Sequence, residues 1–537
     1  MDQSILYIML FGIIALVGQV FNKSIIPIPL LLVIAGMMLS FMPGFPEIEL
    51  NPNLVLNVFL PILIYQISSF ASWKDVKKNS RPIFLLSVGH VIFITILVAV
   101  VIHNLIPQID WPLAFLLGAV ISPPDDVAIV SIAEKIRMPS RVVTILEGEG
   151  MLNDATALTI FRFALAAVVT HQFSLLHAVS AYVSVIVGET IYGLIVGYVM
   201  GQLRLCFRDT SLHMIVSILT PFIAYIPAEM LGGCGVLATA VAGFVIGNNY
   251  ALRFSPEFRL VSRAIWPTMA FAIQSILFLM VGLNFRSVFE KNSMISSHLL
   301  WEYGLTTVGV VIIGRFVWVY ISAYSTRLFS RTVRSKDPMP PWQYPFLISW
   351  AGMRGAISLA AALAVPMLPL TIDGANARDV LVFLVFCVII ATLIIQGLTL
   401  PPLLKILGLQ KRGLKEQYDD HMLELRVRLK LIKSVLRWLL AYKKEVKADP
   451  KLVDPVKVYI ESHRLLKSQL QERIDHHDEA EEHNEQEEAE ADIFLQSKII
   501  DIERAELLSM WRDEKVTLVV RNKLMERLDH RSKNLAE

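Results

Sequence analysis

Apolar and polar positions divide this chain into two unequal parts. From residue 3 to residue 404 the apolar residues come in blocks, most of them near the roughly 20 residues a helix needs to cross a hydrocarbon core. The blocks fall at 3–21, 27–43, 51–70, 82–106, 111–134, 141–170, 174–203, 211–229, 231–249, 262–285, 298–326, 343–370 and 379–404, and they predict thirteen spans. Beyond residue 410 the pattern turns amphipathic. It opens with LELRVRLKLIKSVLRWLLAYKK, passes through the acidic run DHHDEAEEHNEQEEAEAD and ends in IIDIERAELLSMWRDEKVTLVVRNKLMERLDH. The first and last of these segments predict helices with one apolar face. The expected organisation is a membrane domain over 1–410 and a helical tail over 411–537.

Two spans read as interrupted helices. The fifth carries ISPPDDVAIV, where Pro123 and Pro124 remove backbone donors and disfavour helix in the residue before each. The twelfth carries SWAGMRGAISLAAALAVP, with Gly352, Arg354 and Gly355 at similar depth. Irregular backbone at that depth survives only where protein buries it or a wet cavity flanks it. Interrupted spans at matching places in two halves point to a secondary transporter with its substrate near the midplane. Spans five and twelve are seven apart, which fits a six-helix repeat, a linker helix and a second, inverted six-helix repeat. The fold class expected is an all-α polytopic membrane protein with broken spans five and twelve, plus a helical tail.

Charge separates the same two parts. Of the charged side chains, 44 lie in the first 410 residues and 52 in the last 127, a contrast no single soluble domain would show. Lys and Arg of short loops stay on the cytoplasmic side more often. One alternate set of loops holds 17 of them and the other only Arg286, Lys291 and Arg378. That asymmetry predicts an outside N-terminus and a cytoplasmic tail. The first 21 residues lack a basic leader and a small-residue cleavage site, so they read as a retained span. A net charge of +2 with scattered basic residues gives no nucleic-acid face. Cys206, Cys234 and Cys387 sit in apolar runs and write neither a disulfide framework nor a resident metal site. No cofactor is called for.

Charge inside a span is expensive and marks function by default. The sixth span, TILEGEGMLNDATALTIFRFALAA, places Glu147, Glu149, Asp154 and Arg162 on one helix. Asp154 shares a face with Glu147 and Gly150, and Glu149 shares another with Asn153. A carboxylate beside a broken helix binds either a proton or a cation, and mutually exclusive binding is what an exchanger requires. Asp154 is the expected exchanging group. Glu149 reads instead as a permanent partner of Arg315 in VVIIGRFVWVY, since an unpaired buried charge is costly.

GAVISPPDDVAIVSIAEKIRMPSRVVTILEGEGMLNDATALTIFRFALAA resembles the core signature of bacterial sodium/proton antiporters of the cation:proton antiporter-1 family, themselves similar to eukaryotic sodium/proton exchangers. FLPILIYQ, TPFIAYIPAEMLGGCGVLATAVAGFVIGN, SILFLMVGLNF and WAGMRGAISLA extend the likeness over roughly residues 5–405, in order. The resemblance implies thirteen spans, a homodimer, and exchange of a proton for sodium or a similar monovalent cation. It implies that Asp154 binds the ion and Asp125 is the acid of the span-five crossover. Glu149 and Arg315 match the family's structural ion pair, with Asn153 bonded nearby, and Arg354 matches the basic residue of the span-twelve crossover. The Asn153–Asp154 pair matches the motif of electroneutral, one-for-one exchange. A bacterial inner membrane is the expected location.

This chain departs from the family close to the site. Pro124 stands where Thr is common, Asp126 where Pro is common, Gly150 where a Ser often lends its hydroxyl, and Gln66 where an acid is frequent. These changes leave sodium, lithium and potassium open, and leave Asp126 either a ligand or a cap on the second half-helix. Asp125 and Arg354 either neutralise half-helix ends or contact the ion. Glu189, outside the family pattern, is expected to snorkel or pair at an interfacial face. His90 and His103 read as satisfied helix residues. The glycines of VAGFVIG and YGLIVGYVMG read as close packing points. The tail's first helix is expected on the inner leaflet or on neighbouring loops, and His476, His477 and His483, among carboxylates, read as part of a solvated acidic linker or helix face in preference to a metal-binding or pH-sensing cluster. A channel-like or transport-silent sensor on the same scaffold is the competing reading. An intramembrane aspartyl protease is set aside for want of a Gly-x-Gly-Asp motif.

Overall fold

The computed structural model describes residues 3–20, 26–43, 50–125, 129, 133, 136–170, 175–329, 339–367, 370–445, 450–479, 498–510, 520–521, 524–525, 528–529 and 532. They form two compact units, Met1–Leu414 and Lys415–Glu537. In the first unit the principal helices are α1 (Gln3–Val20), α2 (Ile28–Ser40), α3 (Pro52–Phe70), α4 (Ser80–Leu105), α5 (Trp111–Ile121), α6 (Ser140–Thr170), α7 (Leu175–Leu205), α8 (Thr210–Met230), α9 (Val236–Asn249), α10 (Pro256–Leu283), α11 (Ser297–Phe329), α12 (Gln343–Trp350), α13 (Ala356–Leu363) and α14 (Ala377–Ile406), with short helices at Trp73–Lys78 and Phe285–Lys291 between them. Eight helices among the described residues are long and apolar enough to cross a membrane. The chain is therefore a multi-pass membrane protein. α1, α2, α5 and α9 are shorter apolar helices.

Local chemistry starts these helices where the sequence supplies caps. Asp110 accepts from the Leu113 N–H at the head of α5, Asp209 from Leu212 at α8, Ser255 from Phe258 at α10 and Asn376 from Arg378 at α14. Each satisfies a donor that the first turn leaves open. α3 and α4 each hold a π-helical turn, Val55–Phe59 and Leu85–His90. Such turns are frequent at functional sites. The glycines do serve close packing: a Cβ on Gly243 or Gly247 of α9 would strike α3 at Ser68 or Ser69, and one on Gly193 of α7 would strike the Ala238 carbonyl.

The observed elements differ from the apolar blocks in places. The block at 231–249 becomes a helix only from Val236, because Gly232 and Gly235 adopt φ of +91° and +71° in a turn that right-handed helix cannot continue. The block at 343–370 splits at 351–355, and its second half ends at Leu363. A two-residue hairpin, Thr371–Ile372 with Ala375–Asn376, adds a trace of strand to an otherwise helical fold.

In the tail, α15 (Leu409–Glu445) leads into α16 (Pro450–Glu479). Met422, Leu425 and Leu429 pack on Ile474, while Leu436 and Leu439 pack on Val456 and Ile460. Rising numbers on one helix meet falling numbers on the other, so the pair is an antiparallel hairpin. α16 thus covers one apolar stripe of α15, while Leu423, Val427, Leu431 and Trp438 stay exposed along another. Asp475–Glu479 of the acidic run are helical. The side chains of His476, His477 and His483 lie outside the described residues.

Candidate functional site

The interrupted helices meet. α5 stops at Ile121 and residues 122–125 leave the helix; α12 stops at Trp350 and residues 351–355 are likewise non-helical before α13 begins. The Asp125 N–H donates to the Met353 carbonyl at 2.7 Å, tying one break to the other. The Asp125 carboxylate lies so close to Gly355 that a Cβ there would strike it. Gly355 is the residue that opens α13, so the carboxylate sits at the positive end of a half-helix.

Asn153 of α6 is buried, and its amide donates to the Pro124 carbonyl at 2.8 Å. The carbonyl freed by the break thus gets its partner from α6. Its own Oδ1 accepts from the Asp154 N–H at 2.6 Å. Asp154 is half-buried, and its carboxylate is near enough to that of Asp125 for the two to repel. Arg354, 0% exposed, donates its backbone N–H to Thr392 Oγ1 at 3.1 Å. Its three guanidinium nitrogens have no hydrogen-bond partner among the described residues. Gln66 is half-buried and Gly150 buried. Asp126 lies outside the described residues.

Glu149 and Arg315 form a bidentate pair, with Nη1 to Oε1 at 2.7 Å and Nη2 to Oε2 at 3.0 Å, both side chains 1% exposed. Arg315 also donates from Nε and Nη2 to the Ile348 carbonyl at 3.3 and 3.2 Å, near the end of α12. A Cβ on Gly352 would collide with this guanidinium, which is what the glycine permits. His90 is not the satisfied helix residue expected. Its ring is 0% exposed, its nitrogens find no hydrogen-bond partner among the described residues, and Nδ1 stands 4.0 Å from Glu149 Oε1. His103 is satisfied through Nδ1 to the Ile109 carbonyl at 2.7 Å.

Glu189 gives the largest correction. It neither snorkels nor faces an interface. It is 4% exposed, and its carboxylate accepts from the backbone N–H groups of Cys234 (2.5 Å), Gly235 (3.1 Å), Leu237 (3.1 Å) and Ala238 (3.3 Å). A buried carboxylate from α7 thus caps α9. Its local sequence carried no such signal, because the partners are backbone donors 45 to 49 residues further on. Nearby, Arg162 Nη2 meets Glu229 Oε1 at 2.7 Å. A cavity of about 430 Å³ lined by Asn51, Asn284, Lys291, Asn292, Arg378 and Asp379, among others, includes neither Asp125 nor Asp154.

The family described as "Sodium/hydrogen exchanger, transmembrane" matches residues 7–406. A "Sodium, potassium, lithium and rubidium/H(+) antiporter" of Bacillus pumilus (strain SAFR-032) is 30% identical over 398 residues, 72% of this chain. The match spans 59% of that relative's length. An "Uncharacterized Na(+)/H(+) exchanger YjcE" of Escherichia coli (strain K12) is 28% identical over 94% of this chain and 93% of its own. The solved structure of the sodium proton antiporter MjNhaP1 from Methanocaldococcus jannaschii shares the fold, with a TM-score of 0.57 at 16% identity, over 75% of this chain and 99% of that one.

Proposed function

Because the chain belongs to the transmembrane sodium/hydrogen exchanger family, we propose that it is a secondary antiporter, and not an enzyme, exchanging protons for sodium or another monovalent cation. The observation that carries this reading is Asp154, half-buried beside Asp125 where two broken helices cross. Its carboxylate takes a proton or a cation, and occupation by one excludes the other. Asn153 holds the span-five break in place through Pro124.

The charge count supports one-for-one exchange. Asp125, Asp154 and Glu149 bring three negative charges, and Arg315 and Arg354 two positive ones. A proton or a monovalent cation on Asp154 brings the group to zero either way. The two loaded states then carry equal charge, as electroneutral exchange needs. Glu149 and Arg315 act as the structural pair, and Arg354 as counter-charge at the crossing. Hard cations are held by oxygens whose number and charge set the affinity. Gly150 and Gln66 remove a hydroxyl and a charge, which loosens the site and suits a broad alkali range, potassium included; the Bacillus pumilus relative's name spans four alkali cations. Asp126, the next residue in sequence after Asp125, is the further carboxylate that would replace the lost oxygen if it is a ligand and not a cap.

The architecture proposed around this site is thirteen spans in two inverted six-helix repeats, an outside N-terminus, a homodimer in a bacterial inner membrane, and a cytoplasmic regulatory tail over 411–537. Purified full-length protein in liposomes tests the function by dissipation of a pH gradient on addition of each alkali cation. Wild type should dissipate it and Asp154→Asn should not, with an unchanged melting temperature. A folded Asp154→Asn protein that still exchanges would remove Asp154 from the mechanism. Cation flux without proton movement would favour the channel-like reading.

A further inference from the structure

Exchange through Asp154 requires that the residue be reached from each face of the membrane in turn, so a contact beyond it has to open. α6 shows where. Asp154, Leu158 and Arg162, four residues apart, share one face, and Leu158 is buried. From the residue after Asp154 onwards, α6 is fastened to the end of α8 and the turn that follows it, residues 229–235. Cys234 Sγ reaches the Ala155 carbonyl at 3.8 Å, Thr159 Oγ1 reaches Cys234 Sγ at 3.6 Å, and Arg162 binds the Gly233 carbonyl and pairs with Glu229.

The two sides of this seam differ in strength. Glu189 of α7 accepts two backbone hydrogen bonds from the turn, at Cys234 and Gly235, and two from the first turn of α9, at Leu237 and Ala238, so the turn is a fixed edge. The contacts to α6 are two weak sulfur bonds and those of a single side chain, Arg162, which donates to the Gly233 carbonyl and pairs with Glu229, the two side chains being 34% and 31% exposed. We propose that Arg162 and Glu229 form a latch that closes the seam over Asp154 on the face where α6 ends, and that this latch parts in each exchange cycle. The proposal rests on the exchange reading and adds two positioning residues to it. Neither touches the transported ion. They set how often Asp154 is open to that face.

The test uses the full chain in liposomes. Thr159→Cys places a second thiol opposite Cys234. Diamide should join the two sulfurs across the seam and stop cation-dependent proton flux, and dithiothreitol should restore it; wild type treated with diamide should keep its flux. A wild type without exchange would overturn the exchange reading itself. A joined protein that exchanges as fast as its reduced form would overturn the latch alone. A second measurement stands independently of that bond. Leu158→Cys is labelled with a membrane-impermeant maleimide in the parent, in Arg162→Gln, in Glu229→Gln and in the exchange Arg162→Glu with Glu229→Arg, native thiols being subtracted with the protein that keeps Leu158. An exposed pair shifts an equilibrium by up to about fivefold, so labelling should rise by up to about that factor in the neutral variants and fall back in the exchanged one. Equal labelling in all four proteins, even with a lowered melting temperature, would reduce the pair to a structural tie and overturn the proposal.

Discussion

Two arginine–carboxylate pairs stand on α6, and they differ in one respect above all. Glu149–Arg315 is 1% exposed on each side and bidentate, and Arg315 has a further acceptor in the Ile348 carbonyl. Glu229–Arg162 is about one-third exposed on each side. On the proposed latch, water entering from that face is an alternative partner for the second pair, whereas the first is buried away from it. Separating the buried charges strands both in a medium that solvates them poorly, whereas separating the one-third-exposed ones as the latch opens would exchange a protein partner for a solvent one. The same chemistry thus serves as a fixed joint at one depth and as a movable one at another.

Several measurements press on that contrast. The largest effect is expected from Arg315→Gln or Glu149→Gln, each of which leaves an unpaired buried charge or donor set and should cost about 3 to 5 kcal/mol of stability, read as lost yield and a lower melting temperature. Glu149→Gln that melts like wild type but fails to exchange would move Glu149 from the joint to the site. Glu189→Gln comes next. One amide oxygen cannot replace two carboxylate oxygens toward four N–H donors, and the amide hydrogens face donors, so a loss of about 1 to 3 kcal/mol follows. Arg162→Gln should cost no more than about 1 kcal/mol; a loss as large as that of Arg315→Gln would erase the distinction between the pairs. The smallest effect is that of salt. Raising ionic strength should shrink the difference between wild type and Arg162→Gln in Leu158→Cys labelling, and leave the cost of Arg315→Gln unchanged, because screening reaches exposed charges far more than buried ones.

Much of this was legible in the sequence for identifiable reasons. Apolar blocks foretell helices because a membrane leaves backbone polar groups no other partner, and α4, α6, α8 and α14 begin and end within a few residues of their blocks. Pro123 and Pro124 mark one break, Gly352 and Gly355 the other, since each forbids or loosens helix locally. Glu149 and Arg315 invited pairing because neither is tolerable alone in a core. The Glu189 cap was not legible: a carboxylate that binds backbone donors leaves no complementary side chain to find. The Arg162–Glu229 pair was hidden because its members lie 67 residues apart and Glu229 sits at a helix end within a stretch that matches the family pattern. The π-helical turns in α3 and α4 carry no signature either, because they depend on packing and not on residue type.

The Glu189 cap also has a consequence in time. A chain is made from its N-terminus at about 5–20 residues per second, and the first donor that Glu189 binds lies 45 residues downstream. For roughly 2 to 9 seconds at that pace, α7 exists with a carboxylate whose protein partners have not been synthesised. Glu149 waits longer, because Arg315 follows it by 166 residues. Throughout these intervals the acids lack the protein partners that later hold them, so a place near the interface or a bound proton costs less than an ionised carboxylate in hydrocarbon. Assembly of α9 against α7, and of α11 against α6, are then the steps that commit each acid to the interior.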